Sequence, residues 1–133
     1  MTDTEGATGS RSNEISRGLV VLTKARTGKG PTKTRTYIND DLVVCVLRDG
    51  MTQAEKTLVA DGNGSTVKQV RANLQSSFEH EAVAMVERVM ERRVVSFLSS
   101  DDIVNDVAAE LFVLEPRPDA AEAHRVLDAP EAS

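Results

Sequence analysis

The chain has 133 residues, of which 40% are apolar, and 16 Lys and Arg against 21 Asp and Glu give a formal net charge of −5. A single cysteine, Cys45, excludes an intramolecular disulfide and a Cys-rich zinc site, and four aromatic residues without tryptophan argue against a base-stacking nucleic-acid platform. No apolar run approaches the roughly 18 residues of a bilayer span, and the polar N-terminus is not a secretory signal. These features predict a small, acidic, cytoplasmic protein.

The two ends of the chain differ in composition from its middle. Residues 1–12 are almost entirely small or polar, so we predict a disordered N-terminal tail. Residues 117–133 are rich in alanine and proline, which predicts a flexible C-terminal tail with a short helix around residues 120–127. A single folded domain is expected over residues 13–116.

The first half of the domain reads as a helix followed by two strands. Apolar residues at helical spacing predict a helix over Asn13–Arg26 that stops at Gly28. Thr34–Ile38 alternates like a strand, and the almost wholly apolar Leu42–Leu47 is expected to be central in a sheet or covered on both faces. The sequence Asn-Asp-Asp at 39–41 suits a hairpin turn between them.

The second half contains the clearest element of the chain. The spacing Thr-Gln-Ala-Glu at 52–55 matches a capping box and predicts a short helix to about Ala60. Apolar residues every three or four positions predict one long amphipathic helix from Val67 to Met90. Val94–Ser99 and Val107–Leu114 are strand-like, and the short polar link between them predicts an antiparallel hairpin.

The order α-β-β-α-α-β-β predicts an α+β fold in which a four-stranded, mainly antiparallel sheet has its helices packed on one face. The long helix presents more apolar surface than four short strands can cover. We therefore predict a homodimer formed through this helix. The sequence shows no metal-ligand cluster and no cofactor fingerprint, so no cofactor or metal is expected.

The loop after the first helix is the most unusual segment. Two glycines free backbone amides to point at a ligand, and lysines add positive charge, so the loop could bind a carboxylate, bicarbonate or phosphate. It differs from a Walker A loop because it leads into a strand. The plainer reading is a helix-to-strand turn with solvated lysines. The candidate anion- or partner-binding residues are Gly28, Lys29, Gly30, Pro31, Lys33 and Arg35.

Charge is distributed unevenly along the chain. Residues 11–35 contain seven basic residues and one acid, a balance of +6, and the rest carries −11. A basic segment on an acidic body could contact anionic lipid headgroups or an acidic partner, or it could be an ordinary solvated face. Nucleic acid is a weaker candidate because the overall negative charge opposes phosphate binding.

No arrangement of residues indicates catalysis. Glu79, His80 and Glu81 are adjacent on the long helix and so diverge by about 100° each, which fits a solvated face. Cys45 lies in an apolar strand and reads as a small core residue rather than a reactive thiolate. We therefore expect a protein that is not an enzyme and has no catalytic residues.

Several short motifs, taken in order, resemble the MpsC family, named after a proposed Na+-translocating membrane-potential-generating system. The matching stretches cover about residues 13–116: Gly28-Lys29-Gly30-Pro31, Met51-Thr52-Gln53-Ala54-Glu55, Val67 to Arg71, and Phe112-Val113-Leu114-Glu115-Pro116. One departure is Glu91-Arg92-Arg93, where the family tends to have a Thr-Gly-Arg-like turn. The resemblance implies an accessory role beside membrane partners of sodium or inorganic-carbon transport, and it implies no catalytic residues.

The leading hypothesis is a non-enzymatic accessory or regulatory protein that binds an acidic partner or anion through the basic loop. A peripheral membrane location and contact with a transporter subunit fit this hypothesis. The alternatives are a sensor of bicarbonate or phosphate and, less favoured, a nucleic-acid-binding regulator.

Overall fold

The computed structural model describes residues 3–117, which form three helices and four strands. In chain order the elements are α1 (Asp3–Thr27), β1 (Lys33–Asn39), β2 (Leu42–Arg48), α2 (Gln53–Ala60), α3 (Gly64–Met90), β3 (Val94–Asp102) and β4 (Val107–Leu114). The predicted α+β class and the order α-β-β-α-α-β-β are confirmed.

The four strands form one antiparallel sheet in the order β1-β2-β4-β3. Both predicted hairpins are present, and the first turns at Asp40 and Asp41. Asp40 has φ 54°, a left-handed conformation that aspartate tolerates better than most residues. The hairpins join where β2 pairs with β4, with Val44 opposite Leu111. The apolar strand β2 is therefore central, as predicted.

The helices lie on one face of the sheet, and the hydrophobic core fills the space between the two layers. Inward-facing side chains of β2 and β4 meet α1 through Ile15 and Leu19, both fully buried. Phe112 is also fully buried, and its ring centroid lies 4.9 Å from that of Phe97. Burial of such side chains supplies most of the stabilisation of a domain of this size.

Helix α3 is unbroken over 27 residues, which confirms the predicted long helix and starts it three residues earlier, at Gly64. Much of its apolar stripe is buried within the chain: Val67, Phe78, Ala82, Met85, Val86, Val89 and Met90. Val70 is an exception, with 47% of its surface exposed. Most of the surface that suggested a homodimer is thus covered by the chain itself.

Helix α1 begins at Asp3, ten residues before the predicted start at Asn13, so the predicted disordered tail over residues 1–12 is corrected for residues 3–12. Once the core-packed turns of a helix exist, each further residue adds a hydrogen bond without a new nucleation cost. The guanidinium of Arg11 also reaches Glu91 at 3.3 Å. The predicted C-terminal tail over 117–133, with its short helix around 120–127, lies outside the described residues except for Arg117.

Helix α3 is capped by the residue that follows it, Glu91, which adopts a left-handed conformation with φ 54° and ψ 38°. This position usually carries glycine, because a Cβ there costs about 1 kcal/mol. We expect Glu91→Gly to raise the free energy of unfolding by about 1 kcal/mol in urea titrations. Glu91→Ala is the control, since it loses the same contact to Arg11 but keeps the Cβ. Equal stability of the two variants would contradict this explanation.

Candidate functional site

The predicted loop begins where Gly28, with φ 82°, ends α1 by donating its N–H to the carbonyl of Lys24 at 2.8 Å. Beyond it, Lys29 turns back onto the end of β2. Its Nζ donates to the carbonyl oxygen of Asp49 at 2.6 Å and lies 3.8 Å from Oδ1 of that residue. Thr32 Oγ1 donates to Asp49 Oδ2 at 3.0 Å.

Lys29 therefore already has an anionic partner within the chain, the carboxylate of Asp49. The hydrogen bond from Thr32, followed by the charges of Lys29 and Lys56, holds the pKa of the exposed Asp49 carboxyl below its usual value. Pro31 is buried. The structure thus places Gly28 to Pro31 in a turn beside the end of β2, where Lys29 is already bonded to Asp49.

Lys33 and Arg35 lie elsewhere, on the face of the sheet that the helices do not cover. Side chains alternate along a strand, so Lys33, Arg35 and Tyr37 of β1 all project to this outer face and are exposed. The guanidinium carbon of Arg35 lies 5.0 Å from the centroid of the Tyr37 ring, in a cation–π contact. Arg48 of β2 is the register partner of Lys33. We call Lys33, Arg35 and Arg48 the basic corner.

Beside the basic corner, one row across the sheet is wholly apolar. Strand register places Tyr37, Val44, Leu111 and Leu98 side by side on the outer face, one from each strand. Tyr37 is 48% and Leu98 55% exposed, whereas the two central residues are half-buried by their neighbours. None of the described helices packs on this surface. We define the open sheet face as this row together with the neighbouring Val46 and Val113 and the basic corner.

On the inner face, Arg71 of α3 joins three segments. Its Nε and Nη2 donate to the two carboxylate oxygens of Glu55 at 2.7 and 3.0 Å, and its Nη1 donates to Asp101 Oδ1 at 3.3 Å. Glu55 also accepts the backbone N–H of Thr52 at 2.9 Å, which confirms the predicted capping box. Burial favours a higher pKa for Glu55, but the hydrogen bonds from Arg71 and Thr52 outweigh it and lower the pKa. For Asp101, burial dominates and raises the pKa.

A cleft lies next to this network, between α1, α3 and the sheet, and its floor is Glu110 of β4. Glu110 is 7% exposed, and its Oε2 has no hydrogen-bond partner in the structure. Burial raises the pKa of its carboxyl to about 7; a hydrogen bond with Ser99 lowers that pKa in part, and the charge of Asp101 raises it. Such a carboxyl exchanges its proton near neutral pH.

Cys45 of β2 is the register partner of Glu110 on the neighbouring strand β4, and it is fully buried. Thr36 Oγ1 lies 3.5 Å from its Sγ and 2.7 Å from the hydroxyl of Ser16 on α1. Burial raises the pKa of the Cys45 thiol to about 12, so the thiolate is absent at neutral pH. This agrees with its interpretation as a core residue.

The structure separates the six predicted site residues into two groups. Gly28 to Pro31 form the turn beside Asp49, whereas Lys33 and Arg35 belong to the open sheet face. Arg48, Tyr37 and Glu110 were not predicted from the sequence. A charged residue within the otherwise apolar stretch Val-Ala-Ala-Glu-Leu-Phe-Val-Leu was the available signal for Glu110. Glu79, His80 and Glu81 are exposed, and Glu81 pairs with Arg26 at 2.8 Å.

None of the helices in the described part of the chain combines the length and apolarity that a bilayer span requires. The chain matches the model of one protein family, described as "Na+-translocating membrane potential-generating system (MpsC)", over residues 7–116. No curated protein and no solved structure gives a significant match. Since the match covers most of the chain and agrees with the motifs in the sequence, this protein belongs to the MpsC family.

Proposed function

We propose that the protein is a non-enzymatic accessory or regulatory component of a membrane system for Na+ or inorganic-carbon transport. It acts at the cytoplasmic side of the membrane, beside a transporter subunit. Family membership supports the association with a Na+ system. The observation that carries the mode of attachment is the open sheet face, where an exposed apolar row adjoins three cations.

The chemistry of this face fits anionic lipid headgroups. A tyrosine and aliphatic side chains suit the boundary between headgroups and acyl chains, and each Lys or Arg near an anionic surface contributes about 1 kcal/mol. The body of the protein is acidic overall, but charges more than about 8 Å away are screened at physiological salt. On the outer face the basic corner lies at the β1 edge and the exposed Asp102 lies at the β3 edge, so the attraction to an anionic bilayer comes from the β1 side.

Co-sedimentation with lipid vesicles tests this proposal. We expect the protein to bind vesicles of equal parts phosphatidylglycerol and phosphatidylcholine, but not vesicles of phosphatidylcholine alone. The double variant K33E/R35E should lose at least about 2 kcal/mol of binding, or roughly 30-fold in affinity, because two attractions become repulsions.

The matched control is R17E/K24E, which changes the net charge by the same −4 but alters exposed residues of α1 in the helix layer. It should bind like the wild type. Equal losses in both double variants would show that net charge alone decides binding. If the wild type ignores vesicles yet binds membranes that retain their proteins, an acidic protein partner replaces lipid in the proposal.

The alternative of a small-anion sensor has less support, because Lys29 and Thr32 already bond to Asp49. A thermal-shift comparison of bicarbonate, phosphate and chloride separates the two ideas. A rise in melting temperature specific to bicarbonate or phosphate, and lost in Lys29→Glu, would favour the sensor.

A homodimer through α3 stays a prediction with less support than the membrane contact, because most of the apolar stripe of α3 is buried within the chain and Val70 is its exposed exception. The exposed side of α3 faces away from the open sheet face, so both contacts could exist together. Light scattering at micromolar concentration should give about twice the chain mass of 14.4 kDa. A mass near that of one chain would remove the dimer and leave the proposed membrane contact unaffected.

A further inference from the structure

The cleft above Glu110 is separate from the open sheet face, because it opens on the helix side of the sheet. Its cavity measures about 80 Å³, well above the roughly 10–15 Å³ that one water molecule needs on the same measure, so a small ligand can enter. Glu110 forms the floor, and Leu74 and Phe78 of α3 supply an apolar wall. The free Oε2 of Glu110 is the feature that requires an explanation, since buried acceptors are nearly always paired.

The charges around the cleft are unbalanced in favour of a cation. Asp101, Asp106 and Glu110 contribute three negative charges, and Arg26 and Arg71 contribute two positive ones, which leaves −1 when Glu110 is ionised. Both guanidiniums have partners outside the cleft, although the buried Nε of Arg26 has no hydrogen-bond partner in the structure. Arg26 lies 2.8 Å from Glu81, and Arg71 holds Glu55 with two hydrogen bonds.

The carboxylates flanking Glu110 have partners of their own. Asp106 accepts the backbone N–H groups of Gly50 and Met51 at 3.1 to 3.2 Å, and Asp101 accepts from Arg71. On the β2 side Glu110 faces Cys45, whose thiol remains neutral. Among the carboxylates that line the cleft in the described part of the chain, Glu110 has a buried oxygen, Oε2, that accepts no hydrogen bond.

We propose that this cleft binds a small organic cation, an alkylammonium or guanidinium group, which donates a hydrogen bond to Glu110 Oε2 and packs its carbon atoms against Leu74 and Phe78. A metal ion fits less well, because it needs several converging ligands. Among the described residues, no group of three or more His, Cys, Asp and Glu side chains could hold one. The apolar wall likewise suits carbon atoms better than the water shell of an ion.

Protonation of Glu110 competes with the cation for the same oxygen. Because the pKa of this carboxyl is about 7, most of the population is protonated at pH 6 and ionised at pH 8. The charged neighbours that face it are Asp101 on β3, Asp106 before β4, Arg71 on α3 and Arg26 on α1. An alkylammonium keeps its charge over this range, with a pKa like that of lysine. Affinity should therefore rise about tenfold from pH 6 to pH 8.

The test is a titration of the ¹⁵N-labelled full chain with propylammonium chloride, followed by amide chemical shifts. We expect saturable shifts at Ser99, Ala108 and Glu110, about tenfold tighter binding at pH 8 than at pH 6, and no matching response to the neutral isostere 1-propanol. Glu110→Gln should weaken binding at pH 8 at least tenfold and abolish its pH dependence. Glu79→Gln, a change at an exposed site on α3, should behave like the wild type.

Three outcomes would overturn the proposal. Equal binding of propylammonium and 1-propanol would make the cleft a simple apolar cavity. Shifts that spread over the acidic surface and persist in Glu110→Gln would indicate unspecific attraction of a cation. The absence of shifts at the cleft up to about 0.1 M propylammonium at pH 8 would show that Glu110 takes no such ligand.

Discussion

Replacing Arg71 by methionine is expected to lower the free energy of unfolding by about 3 kcal/mol. The side chains of Arg71 and Glu55 are only 15% and 14% exposed, and that of Asp101 is 23% exposed. Removal of the guanidinium leaves two partly buried carboxylates without a counter-charge, and breaking such a pair from one side costs about 3–5 kcal/mol when burial is complete. Because solvent still reaches Asp101, we expect the loss of stability to lie at the lower end of this range.

Urea unfolding followed by far-UV circular dichroism measures this loss. Arg88→Met is the matched control, since Arg88 is exposed on the same helix and its replacement should change stability by less than about 0.5 kcal/mol. Arg71→Lys should fall between the two, because it keeps the charge but loses the two-pronged contact with Glu55. If Arg71→Met were as stable as Arg88→Met, the network would have no structural role.

The second large effect is a dependence of stability on pH that originates at Glu110. Its pKa is about 7 in the folded chain and near the ordinary 4.5 when the chain unfolds. Between these values the folded state binds the proton more tightly. The resulting stabilisation is fully present below pH 4.5 and is lost as pH rises through 7, by up to about 1.4 kcal/mol per pH unit.

Comparison with Glu110→Gln isolates this contribution, because every other titrating group is shared. From pH 5 to pH 8, wild type should lose on the order of 2 kcal/mol relative to the variant in matched urea titrations. The variant should be the more stable protein at pH 8. Parallel pH profiles would contradict the assignment and would mean that solvent reaches Glu110 freely.

Much of the fold followed from local pattern. The stripe from Val67 to Met90 has a 3.6-residue period too regular for any other structure, and the capping box at Thr52 marks the start of α2 by its own chemistry. The pairing of β2 with β4 could not be predicted in the same way. It joins residues such as Val44 and Leu111, which are distant in sequence and meet only when the backbone hydrogen bonds of the sheet and the packing of the helices form together.

The candidate site was predictable only in part, for the same reason. Lys33 and Arg35 were recognised as basic, but alternation along β1 had to be combined with the unpredicted strand order to reveal a shared face with Arg48 and Leu111. The bond between Lys29 and Asp49 spans 20 positions and leaves no periodic signal. The near-uniform apolar β2 indicated a central strand, yet it could not show that one of its faces lacks a covering helix.

The most direct test of the central claim, that the open sheet face is the docking surface, uses Tyr37. It is the only tyrosine in a chain without tryptophan, so its fluorescence reports this face alone. On adding phosphatidylglycerol-containing vesicles, we predict at least a twofold fall in acrylamide quenching of Tyr37, in the wild type and in R17E/K24E but not in K33E/R35E. Unchanged quenching while the protein co-sediments with the vesicles would show that another surface makes the contact.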